Sequence, residues 1–241
     1  MSTELPQVYL LDIEGTVAPI SFVYEQLFHY ARAHFAEFLE RNQSNPAVAA
    51  DLTLLAAENR AEIESGRPTF DVASSRLRWE NAVPYLNWLM DRDRKSTALK
   101  SLQGRIWKSG FESGELKGVL FPDVPEALHR WSAIARVAIY SSGSVEAQRQ
   151  VLRHSIFGDL TGPIAAYFDT RTGPKQASPS YAAIAAAMNV RPDEVLFFSD
   201  VVRELDAARQ AGCQTRLVAR EGNAPVEDAH GHATVESFAA R

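Results

Sequence analysis

Val8-Tyr9-Leu10-Leu11 runs directly into Asp12-Ile13-Glu14-Gly15-Thr16. Four apolar residues in a row, with no polar alternation, form the pattern of a strand buried on both faces. The run ends in two carboxylates and a glycine, groups that an apolar core does not tolerate. Comparable runs recur later as Val137-Ala138-Ile139-Tyr140, Ile164-Ala165-Ala166-Tyr167-Phe168, Val195-Leu196-Phe197-Phe198 and Thr215-Arg216-Leu217-Val218. Helical patterns of one crossover each lie around them. One starts at Asp123 and carries Val124, Leu128 and Trp131; another starts at Ser144, an N-cap residue, and carries Val145, Gln148, Val151 and Leu152. A third covers 181–188, and a fourth covers 201–211 and stops at Gly212, a natural C′ glycine. Strands alternating with helices predict an α/β fold with a doubly wound parallel sheet.

The stretch 20–118 has another character. It holds no convincing strand, and Tyr24, Leu27, Phe28, Ala31, Phe35, Phe38 and Leu39 follow helical spacing along one face. Amphipathic patterns continue over 52–63, 72–89 and 99–107, with Pro46, Gly66-Arg67-Pro68 and Asp91-Arg92-Asp93 as breaks. So long a segment between the first and second strands is not a loop of a compact domain. The expected organisation is an α/β core from residues 1–19 and 119–241, with an all-helical domain, 20–118, inserted after the first strand. A length of 241 residues fits one large domain or two small ones.

Apolar residues make up 46% of the chain and charged residues 23%, values that exclude a disordered or collagen-like chain. A net charge of −5 gives no general electrostatic footprint for nucleic acid or an anionic membrane. The single Cys213 cannot close an internal disulfide, which suits a reducing compartment. The opening residues carry no basic leader, and no apolar run approaches the roughly 18 residues of a membrane span. A cytoplasmic protein with a small-molecule substrate is expected.

In open α/β sheets ligands bind beyond the carboxyl ends of the strands. The first strand is followed by Asp12 and Glu14, the second by Ser141-Ser142-Gly143-Ser144, the third by Asp169 through Lys175, and the fourth by Ser199-Asp200. Carboxylates converging on one sheet edge repel unless a cation sits among them. Oxygen donors without nearby His or Cys suggest Mg²⁺, which takes a few carboxylates, waters and a substrate phosphate. Lys175 offers a point charge for a phosphate, and Ser141 a hydroxyl beside the N–H groups of a helix start. A carboxylate nucleophile, a metal, a hydroxyl and a lysine are the parts of phosphoryl transfer through an aspartyl-phosphate. Taken singly, an Asp after a strand is usually a turn former, Ser-Ser-Gly-Ser a turn, and Lys175 a solvated lysine. Their order at successive strand ends is what carries weight.

Asp12-Ile13-Glu14-Gly15-Thr16, Ser141, Lys175 and Asp200 resemble the four motifs of the haloacid dehalogenase superfamily. Leu11 through Thr16 followed by Pro19-Ile20-Ser21-Phe22-Val23 is similar to the narrower enolase-phosphatase E1 family. So are Leu102-Gln103-Gly104 with Trp107, Ile139 through Ser144, Tyr167-Phe168-Asp169-Thr170 and Phe198-Ser199-Asp200-Val201. Most of the superfamily has Asp two residues after the nucleophile; Glu14 stands there, as in the narrower family. The resemblance implies one Mg²⁺ held by Asp12, Glu14 and Asp200, substrate binding by Ser141, Ser142 and Lys175, and Asp12 as nucleophile. It implies a monomer whose helical insertion acts as a cap over the substrate. It also implies enolisation and dephosphorylation of 2,3-diketo-5-methylthiopentyl 1-phosphate to the acireductone of methionine salvage. Glu14, the unusual carboxylate, is expected to transfer protons.

Other readings of the same residues are a plain phosphatase acting on another ester, a metal-free dehalogenase, and a phospho-acceptor receiver module. Asp200 and the second-position carboxylate argue for a metal, and receivers are about half this length and lack the insertion. His230-Gly231-His232 lies after the last clear strand and is expected to be solvated, Cys213 to be a small buried residue, and Trp107 to seal the core of the helical domain.

Overall fold

The computed structural model describes residues 5–64, 66–70 and 81–239. Six strands, β1 (Val8–Leu11), β2 (Arg136–Tyr140), β3 (Ile164–Phe168), β4 (Val195–Ser199), β5 (Gln214–Val218) and β6 (Ala233–Val235), form one sheet in the order β3-β2-β1-β4-β5-β6. Every neighbouring pair is parallel. The expected doubly wound α/β fold is therefore present. β1 lies inside the sheet, with Leu11 in register with Ile139 of β2 and Phe198 of β4. Its residues serve both faces. Val8 and Leu10 join Tyr140, Phe197, Tyr181, Ile184 and Leu205 in one apolar cluster. On the other face Tyr9 stacks on Trp131 with ring centroids 4.7 Å apart, and Trp131 packs on Phe198 and Phe238. Burying each large apolar side chain contributes roughly 1.5–3 kcal/mol, so a strand apolar on both faces is strongly held in the middle.

The chain separates into two compact units, Met1–Tyr24 with Gly114–Arg241, and Glu25–Ser113. The division falls at 24/25 and 113/114, and the expected boundaries at 19/20 and 118/119: helical winding begins before residue 24 and ends before residue 118. A π-helical segment, Phe22–Phe28, leads into α1 (His29–Arg41), and Gly114, at φ +81°, follows α4 (Thr97–Ser113). The π winding also moves Tyr24 off the expected apolar face: Phe22 and Leu27, five residues apart, are buried, whereas Tyr24 is 57% exposed.

The helical unit also contains α2 (Pro46–Ala61) and α3 (Ala82–Asp91). Pro46 opens α2 instead of breaking the chain. Its missing N–H costs nothing at the first helical position, and Asn45 caps the helix by accepting from the Ala47 N–H at 2.9 Å. Of the pattern expected over 72–89, residues 72–80 lie outside the described residues. Phe35, Leu39, Leu52, Leu55, Tyr85, Leu86 and Leu102 form the core of this unit. Trp107 packs against that core, stacks on Phe28 and donates its indole N–H to the Leu27 carbonyl at 2.7 Å.

In the α/β unit the helices are α5 (Val124–Ser132), α6 (Val145–Arg153), α7 (Ser178–Ala187) and α8 (Val202–Gln210). Ser144 caps α6 as expected, accepting from the Ala147 N–H at 3.2 Å. β3 is half-exposed rather than buried on both faces, because it lies at the sheet edge. The tail also differs from expectation. β6 pairs with β5, and His232 is buried, with Nδ1 2.7 Å from Thr215 Oγ1 and Nε2 3.1 Å from Asp206 Oδ1. Asp206 is the physical reason: its other oxygen meets His230 Nδ1 at 2.7 Å, so one carboxylate on α8 holds both rings.

Candidate active site

Strands β2 and β3 lie on one side of β1, and β4 through β6 on the other. The crevice of such a sheet opens where the order reverses, at the carboxyl ends of β1 and β4. Asp12 stands there, 2% exposed, with its N–H donating to the Phe198 carbonyl at 3.0 Å. Continuing the parallel ladder one residue past Leu11 thus fixes where the carboxylate emerges.

The loop after β3 brings Lys175 to this point. Its ammonium lies 2.6 Å from Asp12 Oδ1 and 2.7 Å from Glu204 Oε2, and all three side chains are buried. Ser199 Oγ donates to Glu204 Oε2 at 2.9 Å and accepts from the Val201 N–H at 3.1 Å. Burial works against the Lys175 charge, but the carboxylates of Asp12, Glu204 and Glu14 outweigh it and hold its pKa above the usual lysine range. Burial and the neighbouring Asp12 raise the Glu204 pKa as well, to about 7. The loop that carries Lys175 is anchored by three hydroxyls. Tyr140 donates to the Gly173 carbonyl, Ser180 to Pro174 and Tyr181 to Lys175 itself, at 2.8, 2.7 and 2.6 Å.

Glu14 turns toward the end of β2. Ser141 Oγ donates to Glu14 Oε2 at 3.1 Å and accepts from the Gly143 N–H at 3.1 Å. Burial first, then Asp12, raises the Glu14 pKa above the carboxylate range. Buried Gln148 holds the Ser141–Ser144 turn in place by donating to the Gly143 and Phe168 carbonyls at 2.9 and 2.8 Å. Asp169 accepts from the Val145 N–H at 3.3 Å, tying the end of β3 to the start of α6. Ser142 is exposed beside this turn.

Gly15 has φ +69°, and a Cβ there would fall 2.2 Å from Asp200 Oδ2. Only glycine allows that turn and that approach together. Burial and Asp12 push the Asp200 pKa up to about 7. Arg220 braces the turn from below. Its guanidinium contacts the Thr16 carbonyl at 3.4 Å and Asp123 Oδ2 at 2.8 Å, and lies over Phe121 and Phe238.

The donor set fits a hard divalent cation. Asp12 and Asp200 carboxylates sit at neighbouring strand ends, and burial first, then the Asp12 charge, works against ionisation of Asp200. The Glu14 carboxyl is engaged by Ser141, yet its main-chain carbonyl receives no donor among the described residues, whereas those of Ile13 and Gly15 do. Among the described residues no three Asp, Glu, His or Cys side chains close an ion cage. Mg²⁺ is generally held through one or two carboxylates and completes its shell with water and substrate phosphate.

The structure thus joins Asp12 to Lys175, joins Glu14 to Ser141, and places Asp200 against the Gly15 turn. Sequence reasoning placed Ser199 in the motif after the fourth strand without a role, and missed Glu204, Arg220 and Asn223. Glu204 was findable, being the one carboxylate in the first turn of the helix that follows Asp200. The others have no local signal, because their partners are far away in the chain.

A parallel sheet in this order, with an aspartate at the end of β1, a lysine after β3 and an aspartate after β4, defines a hydrolase of the haloacid dehalogenase type. Residues 6–212 match the haloacid dehalogenase-like hydrolase family model. The chain is 51% identical over 219 residues to "Enolase-phosphatase E1" of Synechococcus elongatus, covering 90% of each chain. To "Enolase-phosphatase E1" of Pseudomonas fluorescens it is 43% identical over 233 residues, covering 96% of this chain and 95% of the relative. The crystal structure of the UTR4 protein of Saccharomyces cerevisiae superposes with a TM-score of 0.77 at 34% identity, covering 97% of this chain and 98% of that one. The chain belongs to the enolase-phosphatase E1 family of haloacid dehalogenase-like hydrolases.

Proposed function

We propose that this chain is a Mg²⁺-dependent enolase-phosphatase that converts 2,3-diketo-5-methylthiopentyl 1-phosphate to the acireductone and phosphate, in methionine salvage. The observation that carries the reading is the buried Asp12–Lys175–Glu204 chain at the switch point, beside a Glu14–Ser141 pair. Asp12, Glu14 and Asp200 hold one Mg²⁺, Glu14 through the carbonyl that lacks a donor. The bound ion supplies positive charge to the phosphoryl oxygens and to a developing enolate. Ser141, Ser142 and Lys175 receive the phosphate.

Asp12 is the nucleophile. Its carboxylate oxygen bonds to phosphorus as the phosphorus–oxygen bond to the substrate breaks, and water then attacks that acyl-phosphate, releasing phosphate and restoring the carboxylate. Lys175 holds Asp12 in place through the 2.6 Å contact. Glu14 moves protons, giving one to the leaving oxygen and taking one from the attacking water. The same carboxyl is placed to exchange the proton removed next to the carbonyl in enolisation. Burial, then the Asp12 charge, raises its pKa, the direction that favours a general acid.

A cytoplasmic monomer accompanies the reading, in line with the single cysteine. Among the described residues no helix is long and apolar enough to cross a membrane. The test follows phosphate release and enediol absorbance together on the diketo phosphate ester, with Mg²⁺ and with a chelator. Both signals, abolished by chelation, support the reading. Cleavage of generic phosphate esters without either signal on this substrate overturns the substrate assignment and leaves the phosphatase.

A further inference from the structure

The connection between β5 and β6 places Asn223 beside the Gly15 turn. Its Nδ2 donates to the Gly15 carbonyl at 2.9 Å and to the Val218 carbonyl at 3.3 Å. Two carbonyls need a donor, so the amide has one chemically sensible orientation. Oδ1 must then face the other way. It is buried and has no hydrogen-bond partner. It lies near Asp200: the position a Gly15 Cβ would take is 3.1 Å from Asn223 Oδ1 and 2.2 Å from Asp200 Oδ2, so the Asp200 carboxylate fills the space the glycine leaves.

Two acceptors thus stand close to one point, and among the described residues no donor reaches Asn223 Oδ1. A buried amide oxygen left without a donor costs about 1–3 kcal/mol, so its retention calls for a group that enters from outside the protein. A bare ion is a poor candidate, because Mg²⁺ dehydrates reluctantly and keeps several waters. A water carried by the ion has the hydrogen that this oxygen lacks. We propose that Asn223 is a positioning residue for the cation: Oδ1 accepts a hydrogen bond from a water on the Mg²⁺ held at Asp200, while Nδ2 locks the Gly15 turn that lets Asp200 approach. This rests on the metal site of the proposed function. It adds a residue outside the four motifs, from a loop that follows the last of them.

The experiment measures Mg²⁺ binding to the full chain by titration calorimetry, with no substrate present, alongside thermal melting of the metal-free protein. Asn223→Ala removes both roles; Asn223→Asp keeps an oxygen acceptor beside Asp200 and removes the Nδ2 donor. Outer partners of metal ligands typically contribute about 10- to 100-fold in affinity. Asn223→Ala is expected to weaken Mg²⁺ binding by that factor, whereas Asn223→Asp retains or strengthens it, and both lower the metal-free melting temperature. If both variants lose affinity equally, Asn223 is only a structural tie and the proposal fails. If neither loses affinity, it fails as well. Absence of Mg²⁺ binding by the unsubstituted chain overturns both this proposal and the metal reading. Asn223→Ser, whose side chain is too short to take the place of Oδ1, replaces the alanine variant if that does not fold.

Discussion

Lys175 Nζ stands 2.7 Å from Glu204 Oε2, a contact that joins the loop after β3 to the first turn of α8. With Asp12 on the other side, the ammonium is held between two carboxylates and cannot swing. Replacing Glu204 with Gln removes one charge-assisted bond, worth roughly 1.5–3 kcal/mol. Phosphate turnover by Glu204→Gln is expected to fall about 10- to 100-fold, mostly in kcat, as measured by steady-state phosphate release. Lys175→Met leaves Asp12 and Glu204 facing each other and should destabilise the fold by about 3–5 kcal/mol in urea titrations at pH 8.

Glu14→Gln tests proton transfer directly. Gln keeps the length and an oxygen for the Ser141 hydroxyl but carries no acidic proton. General acid–base groups contribute about 100- to 10,000-fold, so both enediol formation and phosphate release should fall within that range. Wild-type rates for both steps would remove Glu14 from the mechanism.

Asp123 provides the pH dependence. Burial opposes its charge, but bonds from Arg220, the Phe238 N–H and Ser237 prevail and hold its pKa below the usual range. A depressed carboxyl contributes stability above its unfolded pKa of about 4, and that contribution disappears as pH falls through the lower folded value. Asp123→Asn should be less stable than the parent at pH 7, since Arg220 then keeps a buried charge without its carboxylate. The gap should narrow below about pH 4. Denaturant midpoints at pH 7 and pH 3 check both limbs.

Gly15→Ala meets two obstacles at once, a backbone at φ +69° and Asp200 Oδ2 at 2.2 Å from the new Cβ. The left-handed backbone alone costs roughly 1–2 kcal/mol. The added methyl also displaces Asp200, so this variant should lose Mg²⁺ binding beyond its loss of stability. Comparing a urea midpoint with a Mg²⁺ titration separates the two effects.

Cys213 is buried, and burial pushes its thiol pKa up to about 12. A thiol reagent at pH 8 should therefore leave the native chain unlabelled and modify one site per chain on unfolding. Labelling followed by mass spectrometry through a urea series would show whether modification tracks global unfolding.

The local order of the chain already specifies a good deal. β1 through β5, the capped start of α6 at Ser144 and the end of α8 at Gly212 are legible because strand and helix periodicity depend on neighbours a few residues apart. Asp12, Ser141, Lys175 and Asp200 are legible because a parallel sheet presents its strand ends at one edge. Pro46 and Tyr24 went the other way, since Asn45 capping and π winding depend on local geometry that apolar spacing does not encode.

What only packing decides is the company each residue keeps. Lys175 reads as a surface lysine until Asp12 and Glu204 close around it. His232 reads as a solvated tail until Asp206, 26 residues earlier, receives it, and Arg220 and Asn223 acquire their roles from Thr16 and Gly15, more than 200 residues away. Apolar patterning selects elements and their order, because burial is non-directional and roughly proportional to area. Hydrogen bonds and buried charges are directional and short-ranged, so their partners become defined only once the sheet has brought distant segments together.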